Sequence, residues 1–262
     1  MHYQIVSVVK VCSNYNLGDE WQNFCIYNSS ISDLNIEISC STYAPYDLDI
    51  FPPQPNPPVL KSGDYLLCVN ADWSEATITL MGKENNSDLS RLLNALLMLH
   101  LSTRGALLLH ASLVDASGKG IMFLGPSGIG KTTQAELWMK YREADIINGD
   151  MVYVKREPDH FLGCGSPWHG SSSYCLNRQV PLAGLVVLKQ SQENSIRRLT
   201  DMEMITAVMN SVFFPSWYRE GYEAACDTLD ALLETVPVYE LSCRPDEDAV
   251  RLTEETLFGE KS

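Results

Sequence analysis

Eight consecutive residues, Gly125-Pro126-Ser127-Gly128-Ile129-Gly130-Lys131-Thr132, follow the pattern G-x-x-x-x-G-K-[ST], and Thr133 comes next. Each type has a chemical use at its position. Glycines let backbone N–H groups turn inward around a polyphosphate, where side chains would collide. Lys131 brings an ammonium to the β- and γ-phosphates, and the Thr132 hydroxyl suits Mg²⁺. A helix opening at Lys131 adds the positive end of its dipole. Residues 125–133 therefore read as a site for ATP and Mg²⁺. The bland alternative is a glycine-rich turn with no ligand. An apolar strand before the loop and a helix after it argue against that alternative.

Phosphoryl transfer also needs a carboxylate for the metal and a group near the attacking hydroxyl. Asp150 stands at the end of the apolar pair Ile146-Ile147 and before Met151-Val152-Tyr153. It is the candidate for both duties, metal binding shared with Thr132 and catalysis shared with Lys131. Asp145 opens the same segment and competes with it, although a helix-to-strand turn explains it adequately. His110 titrates near neutrality and suits a proton acceptor. Taken alone, a histidine on an apolar strand is more often a satisfied core residue. Trp168 and His169 lie in GCGSPWHGSSS, a small-residue loop able to close over an acceptor, with Trp168 as a packing anchor the plainer reading. Arg178, Arg197 and Arg198 are candidate phosphate grips, for which structural ion pairs are the better expectation.

These residues need elements to hold them. Residues 106–115 are apolar and extended, 117–120 have turn chemistry, and 121–124 form a short buried strand leading into the glycine loop. A helix is expected over 131–141, with strands at 145–148 and 151–155 around Gly149-Asp150. Further on, strands are expected at 183–188, 195–199 and 238–242, and helices at 201–213, 217–234 and 246–257. Upstream, residues 3–11, 34–41, 66–69 and 76–80 read as strands. FPPQPNPP at 51–58 reads as an extended connector or edge. Leucines at 89, 92, 93, 96, 97 and 101 recur at helical steps, so 86–102 is an amphipathic helix capped by Ser87 or Asp88.

The whole chain of 262 residues is long enough for one large domain or for a small one beside a medium one. Its formal charge of −14 repels polyanions, which argues against nucleic acid or an anionic membrane surface as partner. Eight cysteines include no C-x-x-C pair and read as small buried hydrophobes in a reducing compartment. No signal-like start or long apolar run is present, so a cytoplasmic location is expected.

The runs LLLHASLV at 107–114, FLGPSGIGKTT at 123–133 and IINGDMVYV at 146–154 resemble the HPr kinase/phosphorylase superfamily, to which phosphoenolpyruvate carboxykinase is distantly related. The closer resemblance is to a bacterial branch of HPr kinase-like proteins, in which the Ser166-Pro167-Trp168-His169-Gly170 loop and the strand at 180–188 also recur. It covers about residues 105–255. It implies an α/β fold, with a P-loop kinase core of HPr kinase type built as a mixed sheet with flanking helices. A small β-rich N-terminal region at 1–85 would precede a kinase-like domain at 86–262. The resemblance also puts His110 in the active site and an acidic motif at Gly149-Asp150. The family carries two adjacent aspartates there, whereas this chain has glycine at the first. A Gly-Lys pair common in the loop is Gly170-Ser171 here. The expected activity is Mg²⁺-dependent transfer of the γ-phosphate of ATP to a serine-like hydroxyl on a small molecule, peptide or protein. A nucleotide-binding switch without transfer is the alternative, and a lyase related to the carboxykinase ranks third. Assembly into a homo-oligomer stays open.

Overall fold

The computed structural model describes residues 1–5, 9–26, 32–40, 59–71 and 73–259, so the connector expected at 51–58 lies outside the described residues. Two mixed sheets carry the chain. The first contains β1 (His2–Ile5), β2 (Val9–Ser13), β3 (Leu34–Cys40), β4 (Val59–Ser62), β5 (Tyr65–Val69) and β6 (Glu75–Leu80), in the order β1-β2-β3-β6-β5-β4. The apolar run at 3–11 is two antiparallel strands, not one, with Tyr3 opposite Val11 and Ile5 opposite Val9. Strand β6 alternates exposed Glu75 and Thr77 with buried Ala76 and Ile78, as a sheet covered on one face must.

Helix α1 (Asn86–Ser102) covers that face. Leu89, Leu92, Leu93, Leu96 and Leu97 are buried in one apolar cluster with Tyr3, Trp21, Leu34 and Ile78. Each such leucine contributes roughly 1.5–3 kcal/mol on leaving water. The cap is Asn85, whose side-chain oxygen accepts the Ser87 N–H at 3.0 Å, and not Ser87 or Asp88. Asp88 is engaged elsewhere, by Ser62 Oγ at 3.0 Å and Arg91 at 3.1 Å. The same cluster takes in Tyr153, Leu162, Trp168 and Cys175 from the second half of the chain.

The second sheet holds β7 (Ala106–Ala116), β8 (Lys119–Leu124), β9 (Asp145–Asn148), β10 (Met151–Arg156), β11 (Phe161–Cys164), β12 (Gln179–Gln190), β13 (Ser195–Arg198), β14 (Val212–Phe213) and β15 (Val238–Cys243). Its order is β11-β10-β7-β8-β12-β15-β13, with β9 and β14 also paired to β7. Strands β8, β12 and β15 run parallel at its centre. Helices α2 (Lys131–Arg142) and α5 (Glu247–Phe258) share a cluster on one face through Ala135, Trp138, Ala249 and Val250. Helices α3 (Asp201–Met209) and α4 (Arg219–Thr235) contribute Val208, Leu229 and Leu232 to another, with Leu107 and Leu109. The chain is thus a mixed α/β protein with flanking helices.

Two elements differ from the sequence expectation in an informative way. The helix expected over 201–213 stops at Met209, because Val212 and Phe213 pair with Leu109 and Leu108. The strand expected at 183–188 runs from Gln179, and its first residues pair with β11, which the sequence did not disclose. Gln179 and Pro181 are exposed, so these first residues do not form the unbroken apolar run that marks a buried strand. The cysteines also divide: Cys164, Cys175 and Cys243 are buried, whereas Cys40 and Cys68 are exposed. Cys68 points outward because it alternates with buried Leu67 and Val69 on β5.

Candidate functional site

The glycine loop connects the end of β8 to the start of α2, directly at Lys131. Gly125, Gly128 and Gly130 all take positive φ, at 138°, 77° and 114°. That backbone is open to glycine and strained for other residues. A Cβ placed on Gly128 or Gly130 would meet nothing within 4 Å, so the space beside these two glycines is open. Gly130 caps α2 without a side-chain hydrogen bond. The N–H groups of the first helical turn, at Lys131, Thr132 and Thr133, therefore lack intrahelical partners, as at any helix start. Lys131 is 6% exposed. Its ammonium donates to the carbonyls of Gly125 at 3.0 Å and Pro126 at 3.2 Å, which wraps the loop around it. Burial pushes its pKa down, and nearby Asp150 opposes that shift.

Asp150 sits between β9 and β10, opposite β7. His110 Nε2 lies 3.1 Å from Asp150 Oδ1. Burial first, and the Lys131 charge second, lower the His110 pKa, while Asp150 raises it. The imidazole is therefore neutral near pH 7 and able to accept a proton. The Thr132 hydroxyl donates to the Gly149 carbonyl at 3.2 Å, which leaves its lone pairs free. The adjacent Lys131 and Thr132 thus meet Asp150 and His110, which come from two other segments of the chain.

Three residues that sequence reasoning passed over fix this geometry. Asn148 is fully buried. Its Oδ1 accepts the N–H groups of Asp150 at 2.9 Å and Met151 at 3.0 Å. Its Nδ2 donates to the carbonyls of Ser166 and Trp168, both at 3.0 Å. One side chain therefore ties the Asp150 turn to the 166–168 loop. The signal was available: an asparagine before Gly-Asp at a strand end is turn chemistry. Ser112 Oγ donates to the Gly149 carbonyl at 2.9 Å from a buried position on β7. Ser172 presses on Gly149, where an added Cβ would overlap the serine hydroxyl. With Ser172 in this place, the loop leaves room only for glycine at residue 149.

The loop itself lies against the site. A Cβ on Gly170, whose φ is +59°, would come within 2.6 Å of Asp150 Oδ2. Trp168 is a packing anchor, edge-on to Trp21 at 5.6 Å and donating its Nε1–H to Ser90 at 2.9 Å. His169 Nδ1 hydrogen-bonds the Ser172 carbonyl within the loop. Asp145 does not join the site: it opens β9, and its carboxylate pairs with Arg178 at 2.5 Å. Arg178 also holds Asp115 at 3.0 Å, and Arg197 pairs with Glu203 and Glu240. Both arginines are structural ion pairs here. Arg198 lies on the edge strand β13, away from the glycine loop.

A cleft of about 490 Å³ continues from Gly128, Ile129 and Gly130 past Gln134 to Gln190 and Arg244. Gln134 donates Nε2–H to Cys243 Sγ at 3.2 Å, while its buried Oε1 has no hydrogen-bond partner. Open space beside the glycines, free helix-start amides and a tethered lysine suit the phosphates of a nucleoside triphosphate. Mg²⁺ takes few protein ligands beside substrate phosphates, and Thr132 Oγ1 with the Asp150 carboxylate would meet that need. Among the described residues no group of three or more His, Cys, Asp or Glu is placed to hold a metal by itself. No helix among them is long and apolar enough to cross a membrane.

No family model matches the chain, and no curated protein matches it. Among solved structures, it is similar in part to the Hpr(Ser) kinase/phosphatase from Coxiella burnetii. That match is 12% identical, covers 57% of this chain and 92% of the other, and has a TM-score of 0.34. A likeness at that level assigns neither chemistry nor substrate.

Proposed function

We propose that this chain is an ATP- and Mg²⁺-dependent phosphotransferase of HPr kinase-like type that moves the γ-phosphate onto a serine-like hydroxyl. The convergence of Lys131, Thr132, Asp150 and His110 on one glycine loop carries this reading. The amides of residues 128–133 and the Lys131 ammonium would hold the β- and γ-phosphates and absorb charge as it develops. Thr132 Oγ1 and the Asp150 carboxylate would hold Mg²⁺, which would supply positive charge against the phosphates. The acceptor oxygen forms its bond to the γ-phosphorus as the bond to the β–γ bridging oxygen breaks, and ADP leaves. The hydroxyl proton passes to the Asp150–His110 pair, the imidazole being the neutral base. Within this reading, residues 86–262 are the kinase-like unit, residues 1–85 its β-rich N-terminal region, and the protein acts in the cytoplasm.

The test separates binding from chemistry. By calorimetry with Mg²⁺-ATP, Lys131→Ala should weaken nucleotide binding tenfold or more. Asp150→Asn should bind within a few-fold of wild type and lose turnover by at least a hundredfold. Full activity in both variants ends the assignment.

One observation favours a nucleotide-binding switch as second reading. Ser172 leaves no room for a side chain at residue 149, so a single carboxylate must serve metal and acceptor. Tight Mg²⁺-ATP binding with no transfer to any hydroxyl acceptor would decide for the switch.

A further inference from the structure

The N-terminal region reaches the loop over Asp150 through a short 3₁₀ helix, Asp19–Phe24. Side chains three apart share one side of such a helix. Trp21 and Phe24 use that step to enter the core, where both are fully buried. Glu20 and Asn23, also three apart, are exposed at its surface.

Both of these polar residues lead to the 166–175 loop. Asn23 Nδ2 donates to the Cys175 carbonyl at 2.6 Å. Glu20 accepts the Ser90 hydroxyl at 3.4 Å, and Ser90 in turn accepts the Trp168 indole N–H at 2.9 Å. Trp21 packs edge-on against the same indole. Each hold lands beside Asn148. The Trp168 carbonyl takes an Asn148 Nδ2–H at 3.0 Å, and Cys175 is the bridge partner of Asn148 across the strands. Asn148 Oδ1 then accepts the N–H groups of Asp150 and Met151. Between the two holds, Gly170 lies against the Asp150 carboxylate.

We infer that Trp21, Asn23 and Ser90 are positioning residues: they brace the 166–175 loop from the N-terminal side, and the loop fixes the Asp150 turn. The inference rests on the phosphotransferase reading for its effect on turnover, and on the contacts alone for the brace. None of the three lines the cleft beside the glycine loop. Loosening them should therefore slow chemistry and spare nucleotide binding. A displacement of about 1 Å at a reacting group can cost about a hundredfold in rate, so a partial loss of order is enough to measure. On this account residues 86–262 do not hold a finished site by themselves, and the β-rich region completes it.

The experiment uses the full chain with Asn23→Ala, Ser90→Ala, the double variant, and Ser90→Thr as the conservative control. Asn23 is exposed and Ser90 half-buried, so no core side chain is removed. Hydrogen exchange without ligand compares the amides of 148–152 with those of 121–124. The latter lie on β8, between β7 and β12, and report global opening. In the double variant, exchange at 148–152 should rise at least tenfold more than at 121–124. Mg²⁺-ATP hydrolysis, with water as acceptor, should fall at least tenfold in kcat. Mg²⁺-ATP affinity by calorimetry should stay within twofold of wild type. Ser90→Thr keeps the hydroxyl and should match wild type throughout. Unchanged exchange at 148–152, an equal rise at 121–124, or an unchanged kcat each overturns the inference. Faster exchange confined to 148–152, in a protein whose wild type binds no Mg²⁺-ATP, would leave the brace standing and sink the phosphotransferase reading.

Discussion

Replacing Asn148 by alanine tests whether one buried amide organises the site. The side chain makes four hydrogen bonds to backbone groups, at 2.9–3.0 Å, from a position with no exposure. The four losses are unequal. The Trp168 carbonyl keeps only a share of the Ser166 hydroxyl, 3.0 Å from it and 2.7 Å from the Met151 carbonyl, and the Ser166 carbonyl keeps the weaker Cys175 thiol at 3.4 Å. The N–H groups of Asp150 and Met151 keep no alternative acceptor from that side chain. Two stranded donors at about 1–3 kcal/mol each give an upper bound, and partial access of the Asp150 turn to water lowers it. The expected destabilisation is about 2–4 kcal/mol, read as a shift in urea midpoint at constant slope. Phosphoryl transfer should fall at least tenfold through kcat, because the Asp150 carboxylate loses its anchor. The KM for nucleotide should change little, since the loop at 125–133 makes none of these bonds. Asn148→Asp is the isosteric companion: it keeps the acceptor and turns both donors into an acceptor facing two carbonyls. It should be no better than alanine. Destabilisation below about 1 kcal/mol with unchanged kcat would refute the reasoning.

Other outcomes follow from single side chains. The lowered pKa of His110 predicts an acid limb in log kcat/KM with an apparent pKa below 6.5 for the His110–Asp150 pair, absent in His110→Gln. An acid limb that survives in the variant excludes the histidine. His100 is buried, donates Nδ1–H to the Trp73 carbonyl at 3.0 Å, and has its pKa pushed down to about 4 by desolvation. The unfolded chain binds that proton near 6.5 and the native state does not, so stability is full above 6.5 and lost as pH falls toward 4. The loss between pH 7 and 5 should be about 2 kcal/mol, and the pH dependence of the urea midpoint should be shallower by that amount in His100→Asn. Arg178→Gln should cost about 1 kcal/mol or less through its ion pairs with Asp115 and Asp145 and leave transfer unchanged. A hundredfold loss of transfer would restore Arg178 to the site.

Much of the site could be read from local signals. The glycine loop, the strand before it and the helix after it are contiguous, so spacing alone reveals them. Strand boundaries at β9 and β10 followed from apolar runs on either side of Gly149-Asp150. His110 and Asp150 were each named, but their 3.1 Å contact is a register fact between β7 and β10 that neither segment encodes alone. Helix α3 was overestimated because Val212 and Phe213 fit a helical pattern until β7 offers them ladder partners. Strand β11 was missed because Gly163 interrupts a short apolar run whose pairing lies on two other strands.

The sequence by itself determined the residue types able to meet a polyphosphate, since glycine's backbone freedom, lysine's charge and threonine's hydroxyl are properties of consecutive residues. It also set the amphipathic helices, because burial follows periodicity. Only tertiary structure decided that Asn148 bridges two loops, that Ser172 closes the space beside Gly149, and that His110 meets Asp150. Each of these is a contact between segments distant along the chain, set by sheet register and side-chain volume, which local propensity does not encode.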